Sequence, residues 1–171
     1  INLANHLLSL GDCFYVEDMA WSSLARKAKE TAVSEKTGKY KRKKRFGKSI
    51  ANKAPASLIS ILDQKCTSLG LLGVIKVPTS VRASQYNHIT KSYEKKTLSQ
   101  RWNIMPDGRR IQRDIYSAFL LQHVTPQRDG FSDEALQQDY ENFVSLHDSV
   151  IQQLRLMPKT IASMGIRRTY S

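Results

Sequence analysis

The chain has 171 residues, 40% of them hydrophobic, so we expect one domain or a large part of one. Its 27 Lys and Arg residues against 15 Asp and Glu residues give a formal net charge of +12. This balance indicates a polyanionic partner, most often nucleic acid. The sequence has no apolar run near the ~18 residues of a membrane span, so we expect no membrane partner. Cys13 and Cys66 are expected to be buried free thiols in a reducing compartment.

The first half of the chain alternates helical and strand patterns. An apolar stripe over residues 1–10 predicts a helix that ends before Gly11. CFYVEDM has the alternation of a strand, which places Glu17 at a strand end. KAPASLISILDQKCTSLG predicts a helix with Pro55 near its first turn, and GVIKVP predicts a short buried strand closed by Pro78.

A basic stretch, KTGKYKRKKRFGKS, lies between these elements. It carries six Lys or Arg residues between positions 39 and 45, with aromatic residues beside them. Such a stretch is either a solvated surface loop or a segment that contacts phosphates, and the net charge favours phosphate contact. The predicted contacts are Lys39, Lys41, Arg42, Lys43, Lys44, Arg45 and Lys48.

The second half is predicted to hold two helices. Residues 79–108 are polar and weakly periodic, which indicates an insertion or a surface loop. IQRDIYSAFLL, residues 111–121, has helical spacing. A final amphipathic helix is expected from about Ser132, as its N-cap, to Pro158. Helices that alternate with short apolar strands indicate an α/β layer architecture.

One carboxylate interrupts the apolar face of the helix predicted in IQRDIYSAFLL. At about 100° per residue, Asp114 falls between Leu121 and Ala118 on that face. An N-cap role or a buried pair with Arg113 would compensate its charge. Alternatively, Asp114 is a metal ligand that needs a second carboxylate from elsewhere in the chain. Glu17 is the candidate partner, and the ion these oxygens would favour is Mg²⁺.

QRDIYSAFL resembles the final RuvC-type motif of the TnpB (OrfB) proteins of bacterial insertion sequences, which are RNA-guided nucleases related to the type V CRISPR effectors. YVEDM resembles the middle glutamate motif of that family, and FGKSIANKAPASLISILDQKCTSLG resembles the segment after it. TSVRASQ and KKTLSQRW resemble the flanks of the family's zinc ribbon. The resemblance covers roughly Phe14 to His123 and is most specific in QRDIYSAFL.

The resemblance implies an RNase H-like (RuvC-type) α/β fold whose N-terminal part lies upstream of Ile1, with a degenerate zinc-ribbon-like loop inserted. Glu17 and Asp114 would be the second and third catalytic carboxylates, and the first would lie in the upstream part. The implied divisions are 1–78 with the glutamate motif and the basic insertion, 79–110 as the ribbon-like insertion, 111–157 with the final aspartate and the C-terminal helix, and 158–171 as a tail.

The implied function is Mg²⁺-dependent phosphodiester hydrolysis by part of an RNA-guided DNA endonuclease, at a two-metal site. The implied partners are DNA, a guide RNA and the missing N-terminal part of the same protein, in the cytoplasm of a prokaryote at the nucleoid. The alternative is a nuclease-dead relative that acts as an RNA-guided DNA-binding or repressor module. A third possibility is a basic structural domain that binds nucleic acid without a guide. Further nucleic-acid contacts are expected from Arg101, Arg109, Arg110 and Arg113.

The ribbon itself departs from the family pattern. Family members commonly carry two Cys-x-x-Cys pairs that hold a structural zinc in tetrahedral thiolate geometry. In this chain Asn87 and Thr90 stand about where the first pair would fall, and Met105 and Asp107 stand near the second. These side chains cannot form a thiolate cage, and His88 with Asp107 alone makes a poor zinc site. We therefore expect the protein to bind no zinc.

Overall fold

The computed structural model describes residues 2–25, 33–40, 50, 52–97, 99–158 and 161–167. Strands pair two by two in this part of the chain, β1 with β2, β3 with β4 and β5 with β6. The helices are α1 (Asn2–Leu8), α2 (Trp21–Ala25), α3 (Pro55–Ser68), α4 (Arg113–Gln122) and α5 (Asp133–Leu156). The strands are β1 (Cys13–Glu17), β2 (Gly73–Val77), β3 (Tyr86–Asn87), β4 (Ser92–Tyr93), β5 (Trp102–Ile104) and β6 (Arg110–Gln112).

The chain divides into two compact units. The first unit contains Ile1–Phe14 and Asp18–Ile75, and the second contains Tyr15–Glu17 and Lys76–Ser171. Each unit has its own buried cluster of apolar side chains. The described elements are thus helices mixed with small sheets, and the RNase H-like assignment stays a prediction.

The first unit is built on the packing of α1 against α3. Pro55 occupies the first turn of α3, where the missing N–H of proline costs no hydrogen bond. Asp63 Oδ1 accepts the backbone N–H of Val74 at 3.2 Å, which fixes the start of β2 to α3. Gly73 has φ +82°, and a Cβ there would lie 3.1 Å from Asp63 Oδ1, so this junction requires glycine. The buried side chains are Ala4, Leu62 and Cys66.

The second unit is built on two antiparallel hairpins and two helices. In β3–β4, Tyr86 lies opposite Tyr93, and in β5–β6, Asn103 lies opposite Ile111. The turn between β5 and β6 passes through Gly108 at φ +84°, a conformation that glycine adopts without steric cost. The buried cluster comprises Ala83, Tyr86, Met105, Ile111, Tyr116, Phe119, Leu120, Leu136 and Tyr140.

Of the two alternatives predicted for residues 79–108, the surface loop is wrong, and the insertion stays a prediction. Val81, Ala83, Tyr86 and Met105 from this segment are buried, with at most 8% of their surface exposed. Two short 3₁₀ turns and both hairpins order the segment. Its apolar residues are widely spaced, and they reach the core because strand pairing between distant positions brings them together.

The predicted start of the helix over residues 111–121 is also wrong. Ile111 belongs to β6, and α4 begins at Arg113. The buried face of α4 consists of Tyr116, Phe119 and Leu120, with the neighbouring Ile111 buried from the strand. Ala118 is exposed, so Asp114 does not lie on the apolar face.

The segment predicted as a tail, 158–171, includes a packed portion. Ile166 is fully buried. The indole Nε1 of Trp102 donates to the carbonyl oxygen of Gly165 at 3.0 Å. Gly165 has φ +72°, and a Cβ there would lie 2.7 Å from Cβ of Arg101, so the close approach requires glycine. Residues 161–167 therefore form part of the folded second unit.

Candidate nucleic-acid and metal site

Asp114 lies in the first turn of α4, directly after β6. Its Oδ1 accepts from Nε of Arg113 at 3.1 Å, and its Oδ2 accepts from Nε2 of Gln112 at 3.3 Å. The side chain is 46% exposed. A carboxylate in the first helical turn is also stabilised by the positive end of the helix dipole. Its oxygens are therefore oriented by two donors and remain accessible to solvent.

Gln112 is the N-cap of α4 and is fully buried. Its Oε1 accepts the backbone N–H groups of Asp114 and Ile115, both at 2.8 Å. Its Nε2 donates to Asp114 and to the carbonyl oxygen of Met164 at 3.3 Å. Its backbone N–H donates to Nε2 of His147 at 3.0 Å. Gln112 thus joins the start of α4 to α5 and to the segment 161–167.

Arg113 has only 12% of its side chain exposed. Besides the ion pair with Asp114, its NH1 donates to the backbone carbonyls of Gln100 at 3.0 Å and Thr97 at 3.3 Å. These contacts use Nε and NH1 of the guanidinium. The placement of Arg113 favours a role in orienting Asp114 over direct contact with phosphate.

Glu17 is the last residue of β1 and belongs to the same compact unit as Asp114. Its side chain is partly buried, and burial raises the pKa of its carboxyl group. Since Glu17 and Asp114 are both oxygen donors, their chemistry fits Mg²⁺, which usually takes one or two protein carboxylates.

The described residues do not form a complete metal site on their own. No group of three or more His, Cys, Asp or Glu side chains is arranged there to hold a metal ion. Glu17 and Asp114 would supply two carboxylates, the number that Mg²⁺ usually takes from a protein, with water and phosphate oxygens as its other ligands. The donors near the predicted ribbon positions, Asn87, Thr90 and Met105, include no thiolate and do not fit zinc.

A basic, aromatic cleft of about 280 Å³ lies beside the start of α4. The guanidinium carbon of Arg110 lies 5.6 Å from the ring centroid of Trp102, within the range of a cation–π contact. Arg155, in the last turn of α5, adds a second positive charge. Such pairs of aromatic and basic side chains suit stacking on bases and contact with phosphates. We name it the Trp102 cleft, and its lining is Trp102, Arg110, His147, Asp148, Ile151, Gln152 and Arg155.

His147 connects this cleft to Asp114. Its Nε2 accepts the backbone N–H of Gln112, so in the neutral imidazole the proton lies on Nδ1 and is donated to Asp148 at 2.8 Å. The side chain is 1% exposed. Two hydrogen bonds through Gln112 therefore separate His147, in the wall of the cleft, from the carboxylate of Asp114.

The other predicted nucleic-acid contacts have varied surroundings. Arg109 forms ion pairs with Glu141 at 2.8 Å and Asp107 at 3.4 Å, so its charge is partly neutralised. Arg101 is half-buried, and Lys39 is exposed. The remaining basic positions, Lys41, Arg42, Lys43, Lys44, Arg45 and Lys48, lie outside the described residues.

Sequence reasoning missed Gln112, Trp102 and His147. Gln112 is the N-cap of α4, but the sequence predicted a helix that already begins at Ile111. Glutamine is also an uncommon N-cap, so its residue type gave no signal. Trp102 and His147 are 45 positions apart, and no local pattern signals that both line one cleft. Their proximity is seen only in the folded structure, where β5 and α5 form the wall of the same cleft.

The chain matches no protein-family model, no curated protein and no solved structure. Within the part of the chain that the structure describes, none of the helices combines the length and apolar character needed to span a bilayer.

Proposed function

We propose that this chain is the RuvC-like portion of a TnpB-type RNA-guided DNA endonuclease that hydrolyses phosphodiester bonds with Mg²⁺. The observation that carries the proposal is the placement of Asp114 within QRDIYSAFL, as a half-exposed carboxylate two hydrogen bonds from a basic, aromatic cleft. Nucleic acid held by Arg110 and Arg155 would pass beside this carboxylate. The net charge of +12 supports a polyanionic substrate.

The residues have distinct roles in this proposal. Glu17 and Asp114 would hold Mg²⁺ together with a carboxylate from an upstream segment, and the bound ions would supply the charge that phosphodiester hydrolysis needs. Arg113 and Gln112 fix the orientation of Asp114. Guide RNA would pair with the target strand, so the protein would mostly contact backbones. The protein would act in the prokaryotic cytoplasm, at the nucleoid.

A second candidate is a nuclease-dead RNA-guided DNA-binding module. It is favoured by the two protein donors that already engage Asp114, Arg113 and Gln112, since a metal ion would have to compete with both. The two functions differ in one measurement. The second candidate predicts guided DNA binding without Mg²⁺-dependent cleavage by the unmodified protein.

The test uses the complete protein that contains this chain, assembled with its guide RNA. Asp114→Asn should abolish Mg²⁺-dependent cleavage of a matching DNA, because an amide offers one neutral oxygen where the ion requires a charged one. Guided DNA binding measured in EDTA should be unchanged. The variant should lose about 0.5 kcal/mol of stability, because the Asp114 carboxylate is half-exposed, the helix-dipole interaction is small and Arg113 keeps its two backbone carbonyl acceptors.

Glu134→Gln is the matched control. Glu134 is exposed and is the second residue of α5, as Asp114 is the second residue of α4. It therefore reproduces the loss of a charge near a helix start without touching the proposed site. Its cleavage rate should equal that of the unmodified protein. Full cleavage by Asp114→Asn would refute the role of Asp114 as a metal ligand, and absence of Mg²⁺-dependent cleavage by the unmodified protein would refute the nuclease proposal.

A further inference from the structure

A row of three aromatic rings leads from the core of the second unit to its surface, where it meets the guanidinium of Arg82. The rings of Phe131 and Tyr86 are stacked with their centroids 4.6 Å apart, and the centroid of Tyr93 lies 4.9 Å from that of Tyr86. The guanidinium carbon of Arg82 lies 4.5 Å from the centroid of Tyr93, within the range of a cation–π contact. Tyr86 is buried, whereas Tyr93 is 43% exposed. The row of rings therefore holds a positive charge at the surface.

The backbone at Arg82 is left-handed, with φ +50° and ψ +47°. Val81 and Ala83 on either side are buried, and the backbone N–H of Arg82 donates to the carbonyl oxygen of Thr79 at 3.2 Å. These contacts fix the point from which the side chain leaves the fold. A left-handed conformation is unfavourable for a residue with a Cβ, and glycine or asparagine adopts it more readily. The backbone therefore gives no reason for an arginine at this position.

The guanidinium of Arg82 has no ion pair and no hydrogen bond with any other residue that the structure describes. Arg109 differs, because its NH1 lies 2.8 Å from Oε1 of Glu141. Arg82 is exposed, so a ligand in solution can reach its N–H donors. A guanidinium presents these donors in a planar fork that matches the oxygens of a phosphate group. Arg82 is thus an oriented cation whose charge no described carboxylate neutralises.

We propose that Arg82 binds a phosphate group of the nucleic-acid backbone, and that Tyr93 is a positioning residue for its guanidinium. Neither residue lines the Trp102 cleft, so this contact is separate from the cleft. The net charge of +12 favours a polyanion at such a cation. The contact would be independent of base sequence, because every nucleotide carries the same phosphate. The inference rests on the proposed nucleic-acid function and adds a second contact to it.

The test measures binding of the 171-residue chain to fluorescent twelve-nucleotide single strands of DNA and RNA, by anisotropy in EDTA at several salt concentrations. Arg82→Asn should reduce the slope of log affinity against log salt by about 0.7, the value for one lost phosphate contact on a single strand. The affinity at low salt should fall about tenfold. The midpoint of urea unfolding should hold, because asparagine tolerates the left-handed backbone and this offsets the lost cation–π contact.

Arg128→Asn is the matched control. Arg128 is also exposed and left-handed, with φ +58°, but its NH1 donates to the backbone carbonyl of Lys76 at 3.0 Å. The control therefore removes the same charge from the same backbone conformation, and its salt slope should stay near that of the unmodified chain. A slope change equal to that of Arg82→Asn would show a general effect of net charge and would overturn the inference.

Tyr93→Leu tests the positioning role, because it removes the ring beside the guanidinium and keeps the charge of Arg82. Its affinity should fall about threefold with an unchanged salt slope, and Tyr93→Phe, which keeps the ring, should bind like the unmodified chain. Equal binding by Tyr93→Leu and the unmodified chain would refute the positioning role. If Arg82→Asn fails to fold, Arg82→Gly replaces it, since glycine adopts a positive φ freely. An unchanged slope in the folded variant overturns the phosphate contact.

Separation from the Trp102 cleft has its own measurement. Arg82→Asn combined with Arg110→Gln should reduce the salt slope by about twice the reduction of either variant, because two phosphates lose a contact. A double variant with the slope of the single variants would place both guanidinium groups on one phosphate, and the separate contact would be refuted. A loss limited to DNA or to RNA identifies the strand that supplies the phosphate.

These outcomes are distinguishable from those of the nuclease test. Asp114→Asn should keep the slope change caused by Arg82→Asn, because the assay contains no metal and measures no cleavage. A chain whose salt slope depends on Arg82 but which does not cleave DNA would refute the nuclease alone. A chain that cleaves DNA and keeps the same salt slope without Arg82 would refute the Arg82 contact alone.

Discussion

The hydroxyl oxygen of Tyr116 lies 2.6 Å from Nδ1 of His88 and 3.1 Å from the backbone nitrogen of the same residue. The backbone N–H can only donate, so the hydroxyl oxygen accepts from it. In a neutral imidazole with its proton on Nε2, Nδ1 accepts the phenolic proton of Tyr116. Burial lowers the pKa of His88 below its ordinary value of 6.5, while Asp107 and Asp133 oppose the shift.

Stability should consequently fall as the solution becomes acidic. Because the pKa of His88 is lower in the folded chain, the unfolded chain binds the proton more strongly. The stability that comes from neutral His88 is therefore present above about pH 7, and it is lost as pH falls through the pKa of the folded state. In His88→Gln, urea unfolding should show a flatter dependence between about pH 7 and pH 5. The other histidines are common to both proteins and serve as the internal reference. An identical pH dependence would contradict the role assigned to His88.

Gln112→Ala should lower the free energy of unfolding by about 2 kcal/mol, because it removes an N-cap and leaves buried N–H and C=O groups without partners. Gln153→Ala, an exposed change on α5, should cost less than about 0.5 kcal/mol. Urea unfolding followed by circular dichroism measures both. If the two variants were equally stable, the proposed junction at Gln112 would not contribute to the fold.

Substitutions in the Trp102 cleft should weaken nucleic-acid binding. Arg110→Gln and Arg155→Gln should each reduce the slope of log affinity against log salt by about one, the value for one lost phosphate contact. Lys36→Gln removes an exposed charge from the first unit and should change the slope less. Titrations at several salt concentrations distinguish the outcomes. An unchanged slope in both arginine variants would show that the cleft does not bind the backbone.

The purified protein should carry no stoichiometric zinc, since the positions about Asn87, Thr90, Met105 and Asp107 supply no thiolate. Zinc chelators should leave the midpoint of thermal unfolding unchanged, because no zinc ion would be coupled to folding. Elemental analysis with calorimetry checks both statements. One tightly bound zinc ion per chain would refute the prediction.

The sequence predicted the helices and strands that short-range patterns determine. The helices α1 and α3 and the strands β1 and β2 lie where apolar periodicity and punctuation by Gly or Pro predicted them. Ser132 caps α5 as expected, accepting the backbone N–H of Ala135 at 3.4 Å. These signals come from neighbours within a few positions, which is why one sequence reveals them.

The errors fall where distant segments decide the structure. Ile111 fits both a helix and a strand by its neighbours, and it is a strand residue because it pairs with Asn103 across a turn. Because of that pairing, α4 begins at Arg113 and not at Ile111, and the side chain of Asp114 is half-exposed. The same limit applies to the candidate site, since the contact of Gln112 with His147 joins positions 35 apart.

The packing of residues 161–167 affects the order of events during synthesis. Trp102 and Gln112 are hydrogen-bonded to carbonyls 63 and 52 positions later in the chain. The hairpin β5–β6 and the N-cap of α4 are therefore synthesised well before Met164 and Gly165, whose carbonyls they contact. Until Met164 and Gly165 are synthesised these two hydrogen bonds cannot form, so we expect the second unit to complete its packing only after residues 161–167 are available.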